Sequence, residues 1–354
     1  MSLSKLKRNE IIEALIIELG IGEYTHSFSV DRFAKEQGIS RQSVYRYLNA
    51  LANDGIIIKG RMKTDGSTKY DFQIGDNVYK FGYPVDGLAE DTVWNQDIRP
   101  VLHGVPEIAL RICNYAFCEL LNNVIDHSEG TKVEIELSVN ASRISFCIRD
   151  DGVGIFAKIA AAMNLAEKRY AVLELVKGKL TTAPETHSGE GIFFSAKAAD
   201  VFSIHSDGLV YSTSVFDKFG YESFCPDDSP AQGGTAIRFD VFRHHKTPIS
   251  ELFDSYTKAP EDYGFSKTVV PVRLLEFGDD SPSFVSRSQA KRLLVRFERF
   301  EYIELDFAGI EEIGQGFADE VFRVFCSRHP SVEIVPTNCS PQVEKMINHV
   351  THAG

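Results

Sequence analysis

A chain of 354 residues and 39.6 kDa is long for one hydrophobic core, and 43% apolar with 25% charged residues excludes a wholly disordered polymer; two or three globular domains are expected. Its apolar runs break well before the roughly 20 residues that a membrane helix needs, and the amphipathic N-terminus has no small-residue cleavage site, so a soluble, cytoplasmic protein with no membrane partner is expected. A formal charge of -12 argues against indiscriminate binding to polyanions, yet Met1–Asp71 carries 11 Lys+Arg against 9 Asp+Glu, a net of +2 that leaves -14 on the remainder.

Leu6 to Leu19 repeats apolar residues at a helical period, and Gly20 with Gly22 ends the run. Ser29 then caps a short helix, VDRFAKEQ, which stops at Gly38, and Ser40 caps RQSVYRYLNALANDG. In that second helix Val44, Leu48 and Leu51 form an inward stripe, leaving Arg41, Gln42, Ser43 and Arg46 on the other side. IIIKGRMKTDGSTKYDFQI, alternating on both sides of Asp65-Gly66, predicts a hairpin. Two helices joined by a tight turn, the second basic at its exposed start, make helix-turn-helix architecture, to which the hairpin adds a wing. Residues 1–75 resemble the winged helix-turn-helix domains of bacterial regulators, which implies double-stranded DNA as a partner. Arg41, Gln42 and Arg46 would then meet groove edges or phosphates, and Lys59, Arg61, Lys63 and Lys69 the backbone from the wing. A helical dimerisation or protein-docking domain is the alternative reading of the same residues.

The next helix, VPEIALRICNYAFCELLNNVIDHSEG, points Ile112, Ala116, Leu120 and Val124 inward and gathers Glu119, Asn123, Asp126 and His127 on one side. Such a set is costly to bury without a ligand or a network, and unremarkable if solvated. TKVEIELSVN and RISFCIRD alternate as strands, and the second delivers Asp150 into DDGVGIF, where Gly152 and Gly154 permit a tight turn around a flat ligand. Gly189 and Gly191 stand just before another helix, whose N-terminal amides suit phosphate oxygens. Gly233, Gly234 and Thr235 open a closing strand.

Taken in order, an E-x-x-x-N helix, a strand ending in D-x-G-x-G, a GxG at a helix start and a GGT before a strand resemble the four boxes of the GHKL (histidine kinase-like) ATPase family. The resemblance covers 79–245 and implies the Bergerat ATP-binding fold, an α/β sandwich, with ATP and Mg2+ as cofactors. It also implies roles: Glu119 as the acid that polarises water or an acceptor hydroxyl, Asn123 as the magnesium ligand, and Asp150 as acceptor for the adenine amino group above Gly152 and Gly154. Gly189, Gly191 and Thr235 would complete the pocket. The stretch 157–189 looks like the ATP lid, in which Lys177, Lys179, Thr181 and Thr182 are candidates for phosphate contacts or for a solvated surface. No phosphoacceptor histidine helix pair precedes the module, which argues against autophosphorylation of the usual kind.

Beyond a connector, alternating strands and helices over 265–354 predict a small α/β domain. DFAGIEEIGQGFADEVFRVF resembles the STAS-type fold of anti-sigma antagonists, although Gly314, Gln315 and Gly316 replace the phosphorylatable hydroxyl of that family. Glu311, Glu312 and Asp319 are candidates for a face that docks a protein partner, or for an ordinary acidic surface. Six scattered cysteines read as free thiols. The whole is a multidomain α/β chain, expected to be an ATP-binding and ATP-hydrolysing DNA-binding transcriptional regulator. A homodimer is a further expectation; a serine/threonine kinase of the anti-sigma type and a non-catalytic nucleotide sensor are the alternatives.

Overall fold

The computed structural model describes residues 5–22, 24, 28–64, 67–180, 189–216, 222–226, 233–257, 265–275 and 284–352, with the backbone alone at residues 5, 61–64, 67–70 and 222–226. The N-terminal segment folds as α1 (Lys5–Gly22), α2 (Val30–Glu36) and α3 (Arg41–Asn53), then β1 (Ile57–Thr64) paired antiparallel with β2 (Ser67–Ile74). Ser29 Oγ accepts from Arg32 N at 3.4 Å and Ser40 Oγ from Ser43 N at 3.2 Å, caps worth about 1 kcal/mol each. Val44, Leu48 and Leu51 are buried with Leu15, Phe33, Ile57 and Phe72 in a core of their own. The Asp65-Gly66 turn lies outside the described residues.

β3 (Asn77–Pro84) leaves this unit and becomes one edge of a second sheet, to which β4 (Lys132–Val139), β5 (Arg143–Asp150), β6 (Val201–Ser206), β7 (Leu209–Ser214), β8 (Glu222–Pro226) and β9 (Thr235–Phe242) belong. The strand order is β3-β4-β5-β9-β6-β7-β8, antiparallel throughout. α4 (Glu90–Val93), α5 (Glu107–His127), α6 (Ile155–Ala162), α7 (Arg169–Lys177), α8 (Gly191–Ala198) and α9 (Ile249–Ser255) complete this part. The inward stripe of α5, including Ile112, Ala116, Leu120 and Val124, is buried, and Phe117 meets Phe146 of β5 at 5.5 Å between ring centroids.

β4 buries alternate residues, as a sheet with one wet face should. β5 instead buries Arg143 and Ser145 as well as Ile144 and Phe146, because the N-terminal unit covers that part of the other face. Tyr24 stacks on Phe216 at 5.6 Å and donates to Asp240 Oδ2 at 2.6 Å, while Arg238 and Ser145 also donate to the Asp240 carboxylate. Asp240 is fully buried, and these donors are what make its burial tolerable.

The C-terminal part is a parallel sheet of β10 (Lys267–Pro271), β11 (Tyr302–Asp306) and β12 (Glu333–Thr337), in the order β10-β11-β12, with α10 (Arg287–Leu294), α11 (Gln315–Ala318), α12 (Cys326–Arg328) and α13 (Pro341–His352) around it. β10 stops at Pro271, and the chain tightens into one 3-10 turn, Val272–Leu275. One expectation needs correction here. Asp319 does not stand on an acidic docking face: it is buried and paired with Arg287 at 2.9 Å and with Arg323. Only Glu311 and Glu312 of that trio are exposed.

Candidate functional site

A cavity opens between α5, α6, α8 and the ends of β5 and β9, lined among others by Glu119, Asn123, Asp150, Gly154, Gly189, Gly191 and Thr235. These seven residues come from four separated segments, and the fold brings them to one place. Asp150 is 6% exposed at the end of β5; its Oδ1 accepts from Gly152 N at 2.8 Å and Thr235 N at 3.3 Å. Among the described residues nothing donates to Oδ2, the acceptor left for a ligand. Burial pushes this carboxyl above its usual range, and the Gly152 and Thr235 amides only partly oppose that. The neighbouring Asp151 is turned outward, accepts from the Thr131 and Lys132 amides at 2.7 and 3.0 Å, and is lowered to about 2, chiefly by the Lys132 amide. Of two adjacent acids, one is an open acceptor in a cavity and the other a structural anchor.

The glycines at this end are there because side chains would not fit. Gly234 has φ 88°, and a Cβ on it would fall 2.1 Å from the Asp150 carbonyl oxygen, a backbone atom that cannot step aside. Gly154, also at φ 88°, would drive a Cβ into the Asp207 carboxylate. That carboxylate accepts from Ala157 N at 2.9 Å at the start of α6 and pairs with Lys168. Thr235 Oγ1 accepts from Ile155 N at 3.0 Å, tying β9 to α6. Gly152 is not part of the lining; it packs against the Ser128 carbonyl, leaving no room for a Cβ.

At the other end, Asn123 Nδ2 donates to the Glu119 carbonyl one turn earlier at 2.7 Å, so the amide oxygen is the end that faces the cavity. The Glu119 carboxylate lies against Gly191, the first residue of α8, and the N-terminal end of that helix lines the same cavity. An amide oxygen, a carboxylate and a helix N-terminus together suit a cation and the phosphates it bridges. At the opposite end, the Asp150 carboxylate suits a donor-bearing base. The residues present therefore fit ATP with Mg2+.

Lys179 lies elsewhere. Its ammonium donates to the Arg299 carbonyl at 2.8 Å and sits over the Phe300 ring at 4.9 Å, so it does not reach the cavity. Lys177 is fully buried, donating to Glu174 at 2.6 Å and to the Val295 carbonyl at 2.9 Å, and cannot be a phosphate contact. Thr181 and Thr182 lie outside the described residues. Lys158 is a lining residue that the sequence reading misses: it bonds the His127 carbonyl at 2.6 Å and Glu129 at 2.8 Å. A signal for it exists, since Lys158 is the one charged residue of IFAKIAAA.

In the N-terminal unit Arg41, Gln42 and Arg46 are all exposed on α3. Arg41 pairs with Asp31 at 2.9 Å and Arg46 leans on the Tyr47 ring at 5.3 Å. The side chains of Arg61 and Lys63 lie outside the described residues.

A mixed α/β part with a large antiparallel sheet and this cavity is consistent with a GHKL ATPase domain. Residues 94–212 match the family model of the histidine kinase-like ATPase domain, which holds Glu119, Asn123, Asp150 and Gly191, and residues 289–344 match a STAS-like domain of unknown function (DUF4325). The first match supports ATP binding or ATPase activity in general. The chain has no match among curated proteins. Among the described residues no helix is long and apolar enough to cross a membrane.

Proposed function

We propose that the chain is an ATP-binding and ATP-hydrolysing DNA-binding transcriptional regulator, whose nucleotide state alters its hold on DNA or on a protein partner at the C-terminal domain. The observation that carries this reading is the course of β9. Its first residue, Thr235, lines the nucleotide cavity, and its sixth, Asp240, grips Tyr24 next to the N-terminal unit. A strand transmits displacement stiffly over the roughly 17 Å between them, so closure around a ligand at one end bears on the placement of α3 at the other.

In this reading Asp150 accepts from the adenine amino group, Asn123 holds the magnesium ion, the start of α8 receives phosphate oxygens and Glu119 orients the attacking water. Bound Mg-ATP supplies the transferable phosphoryl group; the chain's residues position it and exclude alternatives. Arg41, Gln42 and Arg46 on α3 meet DNA. The Arg41–Asp31 pair is exposed, worth at most about 1 kcal/mol, and yields readily to a phosphate. The test is fluorescence anisotropy of a labelled genomic-fragment library at low salt, with and without ATP and magnesium. Duplex binding whose midpoint moves at least about threefold with nucleotide is expected; no duplex binding, or binding indifferent to nucleotide, overturns the reading.

A further inference from the structure

The C-terminal domain reaches the nucleotide cavity through three buried charges. Glu174, Lys177 and Arg296 are 2%, 0% and 8% exposed. Arg296 stands between α10 and β11 and spreads its guanidinium over the end of α7: Nη1 donates to the Glu174 carbonyl and Oε2, both at 3.1 Å, and Nη2 to the Gly178 carbonyl at 2.6 Å and to that of Lys179. Lys177 closes the network through Glu174 Oε1 and the Val295 carbonyl, and Thr268 Oγ1 donates to the Lys177 carbonyl at 2.8 Å.

Buried ion networks are weak sources of stability, because desolvation offsets most of their attraction; where they persist, fixing one geometry is their best-attested use. A second observation points the same way. Arg296 has φ 67° and ψ 5°, a left-handed conformation that costs a non-glycine residue of order 1 kcal/mol and survives where the surroundings over-determine it. The geometry being fixed is that of Gly178 and Lys179, and the next residue leads into the cavity. Leu180 N donates to the Gly189 carbonyl at 3.1 Å, both residues line the cavity, and Gly191 then begins α8 against Glu119. A short chain of contacts thus runs from Arg296 to the phosphate end of the site. Asp150, Gly154 and Thr235, at the base end, take no part in it.

We propose that Arg296 is a positioning residue by which the C-terminal domain sets the phosphate end of the cavity, so that its hold on the end of α7 determines the affinity for the triphosphate and not for the base. The proposal rests on the ATP reading above. A guanidinium is required because its fork holds two successive carbonyls, which an ammonium cannot do with the same rigidity.

The experiment is calorimetric titration of full-length wild type, Arg296→Ala and Arg296→Lys with magnesium and a non-hydrolysable ATP analogue, and separately with AMP, alongside thermal unfolding. Both variants are expected to lose at least about tenfold in affinity for the triphosphate while AMP affinity stays within about twofold, the lysine variant with the smaller drop in melting temperature. Equal losses for the two ligands, or a triphosphate affinity within about threefold of wild type in the folded lysine variant, overturn the positioning role and leave the ATP reading standing. Wild type that binds neither ligand overturns that reading and the proposal with it.

Discussion

Gly191 and Glu119 stand so close together that a Cβ on Gly191 would fall 2.1 Å from Glu119 Oε2. The carboxylate is the movable partner of the two, so Gly191→Ala should displace it without unfolding the chain. If Glu119 orients water, Glu119→Ala should lower phosphate release by at least about 100-fold and leave ATP affinity nearly unchanged, since a general base acts in the transition state more than in the bound state. Gly191→Ala should reproduce that loss. Steady-state phosphate release measured beside ATP binding decides the matter; full-rate release without Glu119 removes its role. Labelling of a protein in cell extract, lost with Glu119, would point instead to phosphoryl transfer.

Asp150→Asn keeps an Oδ1 acceptor for the Gly152 and Thr235 amides but turns the cavity-facing oxygen into a donor. A donor facing the adenine amino group should weaken adenine nucleotide binding by about 1–3 kcal/mol, the range for a badly paired buried polar group. Calorimetry that returns an unchanged affinity would falsify the assignment.

Asp151 supplies an acid-sensitive anchor. Its carboxyl is lowered to about 2 in the folded chain from an ordinary value of 3.8, so its contribution is present above about pH 4 and is lost as the pH falls toward 2. Asp151→Asn cannot ionise, and its unfolding midpoint should therefore depend less steeply on pH across that window than the wild type's. Circular dichroism melts from about pH 2 to 5 check this; identical slopes count against it.

On α3, Arg41→Ala with Arg46→Ala should weaken duplex binding and flatten its dependence on salt, by about one unit of log-log slope for each phosphate that is no longer neutralised. Affinity and slope both unchanged in an anisotropy titration would remove these two residues from the interface.

Much of this architecture is written in local pattern. The 3.6-residue period of α5 gathers Glu119 and Asn123 on one side, where they line the cavity beside Leu120 and Val124 of its buried stripe, and the alternation of RISFCIRD ends with Asp150 at the strand's edge. What is not legible depends on pairings between distant segments. Lys177 and Lys179 sit in a polar, basic run that reads like a phosphate-binding loop, and nothing nearby announces that Val295 and Arg299 provide the carbonyls their ammonium groups seek. Asp319 reads as acidic surface because only one of its two partners, Arg323, is a turn away, whereas Arg287 lies 32 residues away. Burial of Arg143 and Ser145 breaks the alternation of β5, and its cause, Tyr24, belongs to a different part of the chain.

Phe193 and Phe194 on α8 meet Phe265 at 4.7 and 5.1 Å, and Phe265 meets Phe300 at 5.6 Å. Phe265 lies in neither stretch matched by a family, yet it joins the interiors of both into one apolar body that runs from Val85 to Val350. Severing the chain ahead of Phe265 would therefore leave two sticky halves in place of two usable modules. The N-terminal helices, with an interior of their own, are the part that heat should be able to melt separately. Kinship by sequence and cohesion in melting thus follow different borders in this molecule.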